Sequence, residues 1–165
     1  MRLVVHVDGG SRGNPGPAAA AAVLSDGDGV VLDEATEATH LLDGGDLHAA
    51  ADLCRAALDR FRGDVLPAAG DAEWAVPHRA RLLEARRTLT ETGLTARLRA
   101  GDAGDLVADL EAAVVEHPFR ESLWELLVTA LYRAGRQTDA LAALQRVRRL
   151  LAEELGLDPG PALQS

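Results

Sequence analysis

PFRESLWELLVTALYRAGRQTDALAALQRVRRLLAEELG, residues 118–156, contains two helical patterns separated by one glycine, Gly135. Apolar residues recur every three to four positions on both sides of that glycine, which is the spacing of one helix face. We predict that the first helix opens at Pro118, because the fixed φ of proline suits a first helical turn. The stretch therefore predicts two helices that pack through these apolar residues: Trp124, Leu127, Val128 and Leu131 from the first, and Ala140, Leu144, Val147 and Leu151 from the second.

The small residue Ala140 marks the point where the two predicted helices cross most closely, so a larger side chain there is expected to overpack the pair. The second helix is expected to end at Gly156, a natural left-handed cap. Pro159 and Pro161 follow and prevent its continuation.

The same plan occurs elsewhere in the chain, as a glycine turn, a polar helix start and then Leu and Ala at helical spacing. It is found in residues 44–58, 101–114 and 135–151, and Gly101 lies 34 residues before Gly135. This period is that of tetratricopeptide-type helix pairs. The longer first unit predicts an insertion over residues 62–78, in which Trp74 either packs within the domain or anchors a partner.

Three ordered motifs carry a resemblance to a known family: P-x-R-E-x-x-W at residues 118–124, L-Y-R-x-G-R-x-x-x-A-L at 131–141 and L-x-x-E-L-G-x-x-P-G at 151–160. Over about residues 41–164 the chain resembles the bacterial transcriptional activator domain of antibiotic-pathway regulators. The resemblance implies an all-helical, tetratricopeptide-like domain that contacts a protein partner, either the transcription machinery or a second copy. In that family a winged-helix DNA-binding domain precedes it, and no such pattern occurs here, so sequence-specific DNA binding by this chain alone is not expected.

The first 39 residues have a different character, with short apolar runs at 2–7, 18–24 and 30–38 between glycine-rich turns. The alanine run could equally be helical on propensity, but a seven-residue helix between two turns is marginal. We predict a mainly α protein in which a small three-stranded antiparallel β segment, residues 1–39, precedes a helical domain, residues 40–165.

Residues 2–39 resemble the start of ribonuclease H, and the specific part of the resemblance is the turn DGGSRGNPGP, residues 8–17. That resemblance implies Asp8 as a ligand of a catalytic Mg²⁺ and a turn at Gly10, Ser11 and Asn14 that contacts the backbone of an RNA:DNA hybrid. Two-metal chemistry needs several carboxylates. The later carboxylates of the family have no counterpart after residue 39, so a metal-dependent nuclease is kept only as the alternative.

The composition limits the classes of function. The formal net charge of −9 disfavours nucleic acid as the main ligand. All 17 of the lysine and arginine residues are arginine, which indicates a GC-rich genome such as that of an actinobacterium. The single cysteine, Cys54, lies in a helical apolar pattern and is predicted to be a buried thiol.

The five histidines show no spacing typical of a metal site. No leader or membrane span is apparent, so we expect a cytoplasmic protein. The leading hypothesis is a protein-interaction module of a bacterial transcriptional regulator, without a catalytic, cofactor or metal site.

Overall fold

The computed structural model describes residues 17–61, 65 and 72–164, and of residues 17–29 it describes only the backbone. These parts of the chain form helices joined by turns, and none of the described residues lies in a strand. The helices in chain order are α1 Pro17–Asp43, α2 Leu47–Leu58, α3 Ala75–Ala100, α4 Ala103–Glu116, α5 Glu121–Arg133, α6 Gln137–Leu155 and the short α7 Pro161–Gln164.

Tight glycine turns join α1 to α2, α3 to α4 and α5 to α6. Gly45, Gly101 and Gly135 in these turns all have positive φ, which a residue without a Cβ adopts at low cost. At the end of α5, Arg136 N–H donates to the carbonyl of Leu131, which reverses the chain into α6. The glycine at the start of each predicted repeat is therefore the turn of a helix pair.

The buried side chains form one large core and two smaller clusters. The large core is built by α4, α5, α6, α7 and the C-terminal end of α3, and Leu106, Leu110 and Leu127 in it are completely buried. A smaller cluster lies between α1, α2 and α3 and contains Cys54 and Leu89. Because α3 contributes side chains to all the clusters, it is the element that joins the two ends of the molecule.

The prediction of a three-stranded β segment is wrong for the part of it that the structure describes. Residues 18–24 and 30–38, the second and third predicted strands, both lie within α1. The first predicted strand, residues 2–7, lies outside the described residues. The alanine run favours helix by propensity, and α1 continues through the predicted turn for 27 residues, far longer than the seven-residue helix that would be marginal.

The predicted boundary between residues 39 and 40 falls inside the continuous helix α1. Ala38 and Leu42, on either side of it, are both buried against α2 and α3. The C-terminal half of α1 is therefore part of the same packed unit as the helices that follow it.

Two helix starts also differ from the sequence expectations. Pro118 lies in the turn before α5, which begins three residues later at Glu121. Pro161, which was expected only to prevent continuation of α6, lies beyond the end of that helix and opens α7. Gly156 caps α6 in the left-handed conformation, with φ of 65°, as predicted.

Candidate functional site

The repeat residues singled out in the sequence meet where α5 and α6 pack. Trp124, Leu127 and Leu131 of α5 are buried, and so is Ala140 of α6. Leu144 is partly buried and packs against the same core, while Gly135 forms the turn between the helices. The structure thus brings this set together in the large core.

Trp124 and Arg146 together link three helices at the edge of that core. The indole N–H of Trp124 donates to the carbonyl of Pro118, with 2.8 Å between the heavy atoms. The guanidinium of Arg146 lies over the indole ring, 4.6 Å from the ring centroid, and also pairs with Glu111 of α4 at 2.7 Å. This arrangement ties α4 and α6 to the tryptophan of α5.

A shallow cleft of about 450 Å³ lies between α5 and α6. Two of its side chains are large, apolar in part and well exposed: Tyr132 at 63% and Leu141 at 62%. We call this surface the α5–α6 groove, and no charged residue is among those that line it: Val128, Thr129, Tyr132, Gln137, Ala140, Leu141 and Leu144.

A second exposed surface lies on the side of α4 that faces away from the core. Leu106, Leu110 and Val114 point into the large core, whereas Asp105, Ala108, Ala112, Val115 and Glu116 are exposed. We call these five residues the α4 outer face. Val115, its largest apolar side chain, lies near the C-terminal end of the helix and is 78% exposed.

The C-terminal segment is docked on α5 and α6. The backbone N–H of Gly160 donates to a carboxylate oxygen of Glu121 at 2.5 Å, and Leu163 is buried in the large core. Arg148 donates to the carbonyl of Leu163. These contacts bring the short α7 against the N-terminal end of α5.

The described residues contain no group of histidine, cysteine or carboxylate side chains that could hold a metal ion. Asp8, Gly10, Ser11 and Asn14, the candidates from the ribonuclease H resemblance, lie outside the described residues. Cys54 is buried as predicted, and burial raises the pKa of its thiol to about 11, which disfavours the nucleophilic thiolate. No described helix is long and apolar enough to cross a membrane.

Some residues of these surfaces were not singled out from the sequence. Tyr132 and Leu141 fit a helical apolar pattern, and only the packing shows that they point outward. Gly93, buried inside α3, was not singled out either, although an isolated glycine in a helical pattern costs about 1 kcal/mol and usually has a packing or functional reason. Trp74, for which two roles were open, is partly buried immediately before α3.

Comparison with known proteins gives one family and a consistent set of relatives. The family model described as "Bacterial transcriptional activator domain" matches residues 28–165. Regulatory protein AfsR of Streptomyces coelicolor is 48% identical over 132 residues, which are 80% of this chain and 13% of AfsR. Transcriptional regulatory protein EmbR of Mycobacterium bovis is 39% identical over 80% of this chain and 34% of its own length. Regulatory protein DnrI of Streptomyces peucetius is 35% identical, over 79% of this chain and 48% of DnrI.

A solved structure is also similar to the described fold. It is Mycobacterium tuberculosis EmbR in complex with a low affinity phosphopeptide, with a TM-score of 0.77 and 38% identity. The match covers 83% of this chain and 36% of that one. The chain thus spans less than half the length of each of these relatives.

These matches decide between the two resemblances seen in the sequence. The family match begins at residue 28 and excludes the turn at residues 8–17, and the relatives are named as regulators. The ribonuclease H interpretation, with its Mg²⁺ and its hybrid contacts, therefore gains no support. The helical fold and the match over most of the sequence agree with the other resemblance, and the chain belongs to the bacterial transcriptional activator domain family.

Proposed function

We propose that this chain is the protein-interaction module of a bacterial transcriptional regulator and that its helix pairs act as a tetratricopeptide-like stack. One observation carries the proposal: a family whose relatives are named as transcriptional regulators is joined here to a helical scaffold that exposes large apolar side chains. Such side chains cost little to leave exposed one at a time, but in groups they are typical of protein contact sites.

The exposed apolar side chains of the α5–α6 groove project from helices that are anchored in the large core. Tyr132 and Leu141 rise from α5 and α6, whose inner faces are anchored by completely or almost completely buried leucines and Trp124. A preorganised surface loses little conformational entropy on binding, and a few anchors of this size supply most of the affinity in typical interfaces. The fold is therefore suited to bind a folded partner or a partner helix.

Charge favours a protein partner over DNA. The formal net charge is −9, and many of the described arginines are already paired with carboxylates of the same chain. Arginines held in this way are less available to neutralise phosphates. The arginines in ion pairs include Arg55, Arg60, Arg87, Arg97, Arg120, Arg136 and Arg146. We propose the transcription machinery as the partner, with self-association as the second candidate.

A tethering experiment tests this function directly. The chain is fused to an unrelated sequence-specific DNA-binding domain in an actinobacterial host, and transcription from a promoter with that binding site is measured. We expect activation above that given by the DNA-binding domain alone, together with binding of the purified chain to RNA polymerase.

The control is Leu127→Asp, which places a charge in the completely buried core and should remove activation by unfolding the module. Sedimentation of the free chain tests self-association. A folded fusion that neither activates transcription nor binds polymerase, in a chain that sediments as a monomer, would contradict the proposed function.

A further inference from the structure

The α4 outer face combines small and apolar side chains with a carboxylate at each end. Val115 is the most exposed of the large apolar side chains in the described part of the chain, at 78%. Ala108 and Ala112 precede it along the same side of the helix, at spacings of three and four residues that place side chains next to one another. Phe119, 49% exposed, follows in the turn after α4.

The charges on this side of α4 are negative. Asp105 and Glu116 lie at the two ends of the face, and Asp105 forms no ion pair within the described residues. The basic side chains that neighbouring helices bring to α4 are occupied, because Arg97 pairs with Asp109 at 2.6 Å and Arg146 pairs with Glu111. His117, which follows α4, lies beside Glu116, with 3.8 Å between its Nε2 and Glu116 Oε1.

The helix dipole adds to the negative potential at the C-terminal end of α4. The last turn of α4 itself contains no basic residue, so only His117 at the C-cap lies close to the partial negative charge of its free carbonyl groups. The carboxylate of Glu116 adds to it at the position next to Val115. At the other end, the positive end of the dipole partly offsets Asp105. The carboxylate of Glu116 and the negative end of the helix dipole therefore lie at the same end of the face as Val115, its most exposed apolar side chain.

We propose that the α4 outer face docks a cationic amphipathic helix of a partner protein. The apolar stripe of that helix packs on Val115 and Ala112, and its Arg or Lys side chains lie beside Glu116 and Asp105. The length of α4 matches a partner segment of about four turns. This inference rests on the proposed interaction function and specifies the charge of the partner.

The α5–α6 groove differs from the α4 outer face in its charge. It exposes the larger side chains of Tyr132 and Leu141, and none of the residues that line it is charged. A cationic helix gains no electrostatic complementarity there, whereas on the α4 outer face opposite charges steer association and fix register. The groove therefore offers a matched control surface within the same chain.

The experiment measures binding of a synthetic helical peptide to the full chain by fluorescence anisotropy. The probe is an end-capped peptide of about 18 residues with leucines along one face and arginines on both sides of that face. A second peptide carries glutamate at each arginine position. We expect the arginine peptide to bind and the glutamate peptide not to bind. Binding should weaken several-fold between about 0.05 M and about 0.3 M salt.

Two variants locate the site and add the same charge to the chain. Val115→Arg should weaken binding of the arginine peptide by about tenfold, because it removes the apolar anchor and repels the peptide. Tyr132→Arg, in the groove, should change it by less than about twofold. Both positions are exposed, so both variants are expected to keep the helical circular dichroism signal and the thermal midpoint.

Equal weakening by the two variants, stronger weakening by Tyr132→Arg, or no preference for the arginine peptide would each overturn the inference. Such results leave the tethering experiment unaffected, because activation and polymerase binding do not depend on which surface is used. A third outcome is that the fusion fails to activate transcription while the chain still binds the arginine peptide through Val115. That outcome would reject the proposed partner but retain the docking face.

Discussion

Gly93 of α3 and Cys54 of α2 lie in direct contact where the two helices cross. A Cβ added to Gly93 would stand 3.0 Å from the Cβ of Cys54 and 3.7 Å from its Sγ. Both residues are buried, and the thiol is 1% exposed. The missing side chain of Gly93 therefore sets how closely α2 approaches α3, the helix that joins the cores of the molecule.

Replacing Gly93 by alanine should destabilise the fold. The added methyl would meet a Cβ fixed to the backbone of α2, and overpacking of this kind costs about 1–3 kcal/mol. Alanine also gains about 1 kcal/mol of helix propensity over glycine, so we expect a net loss of up to about 2 kcal/mol in urea unfolding.

Gly104 in α4 is the matched control, since a Cβ there meets nothing within 4 Å. Gly104→Ala should raise the free energy of unfolding by about 0.5–1 kcal/mol. If both substitutions stabilise the protein equally, the contact between α2 and α3 does not limit their approach.

The sequence was most informative where periodicity and turns coincide, as in residues 118–156. There the apolar spacing and Gly135 predicted both helices, their buried faces and the left-handed cap at Gly156. It failed in α1, where glycines at 27 and 29 suggested a turn between strands, whereas the chain is helical through that position. Local turn preference is a weak guide when a long helix can continue through it, as an alanine run on one side and packed Ala35 and Ala38 on the other allow here.

The candidate surfaces were harder to predict than the core. Tyr132 follows a buried leucine, and Leu141 follows a buried alanine. Successive residues of a helix lie about 100° apart, so the rotation of each helix about its axis decides which of each pair faces solvent. The same holds for Val114 and Val115, of which the first is 1% and the second 78% exposed. Only the packing of neighbouring helices fixes that rotation.

Enlarging Ala140 should destabilise the α5–α6 pair. Its side chain is 5% exposed and belongs to the large core. Ala140→Leu adds three carbon atoms at this contact, and we expect a loss of about 1–3 kcal/mol in the free energy of unfolding. The neighbouring Ala142 is exposed on the same helix, so Ala142→Leu should change stability by less than about 0.5 kcal/mol. Similar effects at both positions would show that the crossing has room for a larger side chain.

The contact between Arg146 and Trp124 should appear as a coupling energy. Arg146→Met keeps the apolar stem and removes the charge over the ring, and Trp124→Leu removes the ring itself. A double-mutant cycle on these two changes should give about 0.5–1 kcal/mol of coupling, the range for a cation over an aromatic ring at a partly exposed site. Arg87, which pairs with Glu84 on α3, supplies the control, because Arg87→Met and Trp124→Leu should be additive. Additivity in the Arg146 cycle would mean that the stacking contributes nothing to stability.

Burial of Cys54 should make the stability of the protein depend on pH in the alkaline range. The thiol has a pKa of about 11 in the folded chain against an ordinary value of 9.0, because burial disfavours the thiolate. Below pH 9 the thiol is protonated in both states and this contribution to stability is complete. Between about pH 9 and about pH 11 the unfolded chain loses the proton while the folded chain keeps it, so the free energy of unfolding should fall.

The expected slope approaches about 1.4 kcal/mol per pH unit, or about 2–3 kcal/mol over the interval. The chain contains no lysine, so few other groups change charge there. Urea unfolding at a series of pH values, compared with Cys54→Ala, isolates the thiol: the variant should start less stable because it leaves a small void, but its stability should decline less steeply above pH 9. Parallel curves for the two proteins would place the alkaline transition at another group and show that the thiol ionises equally well in both states.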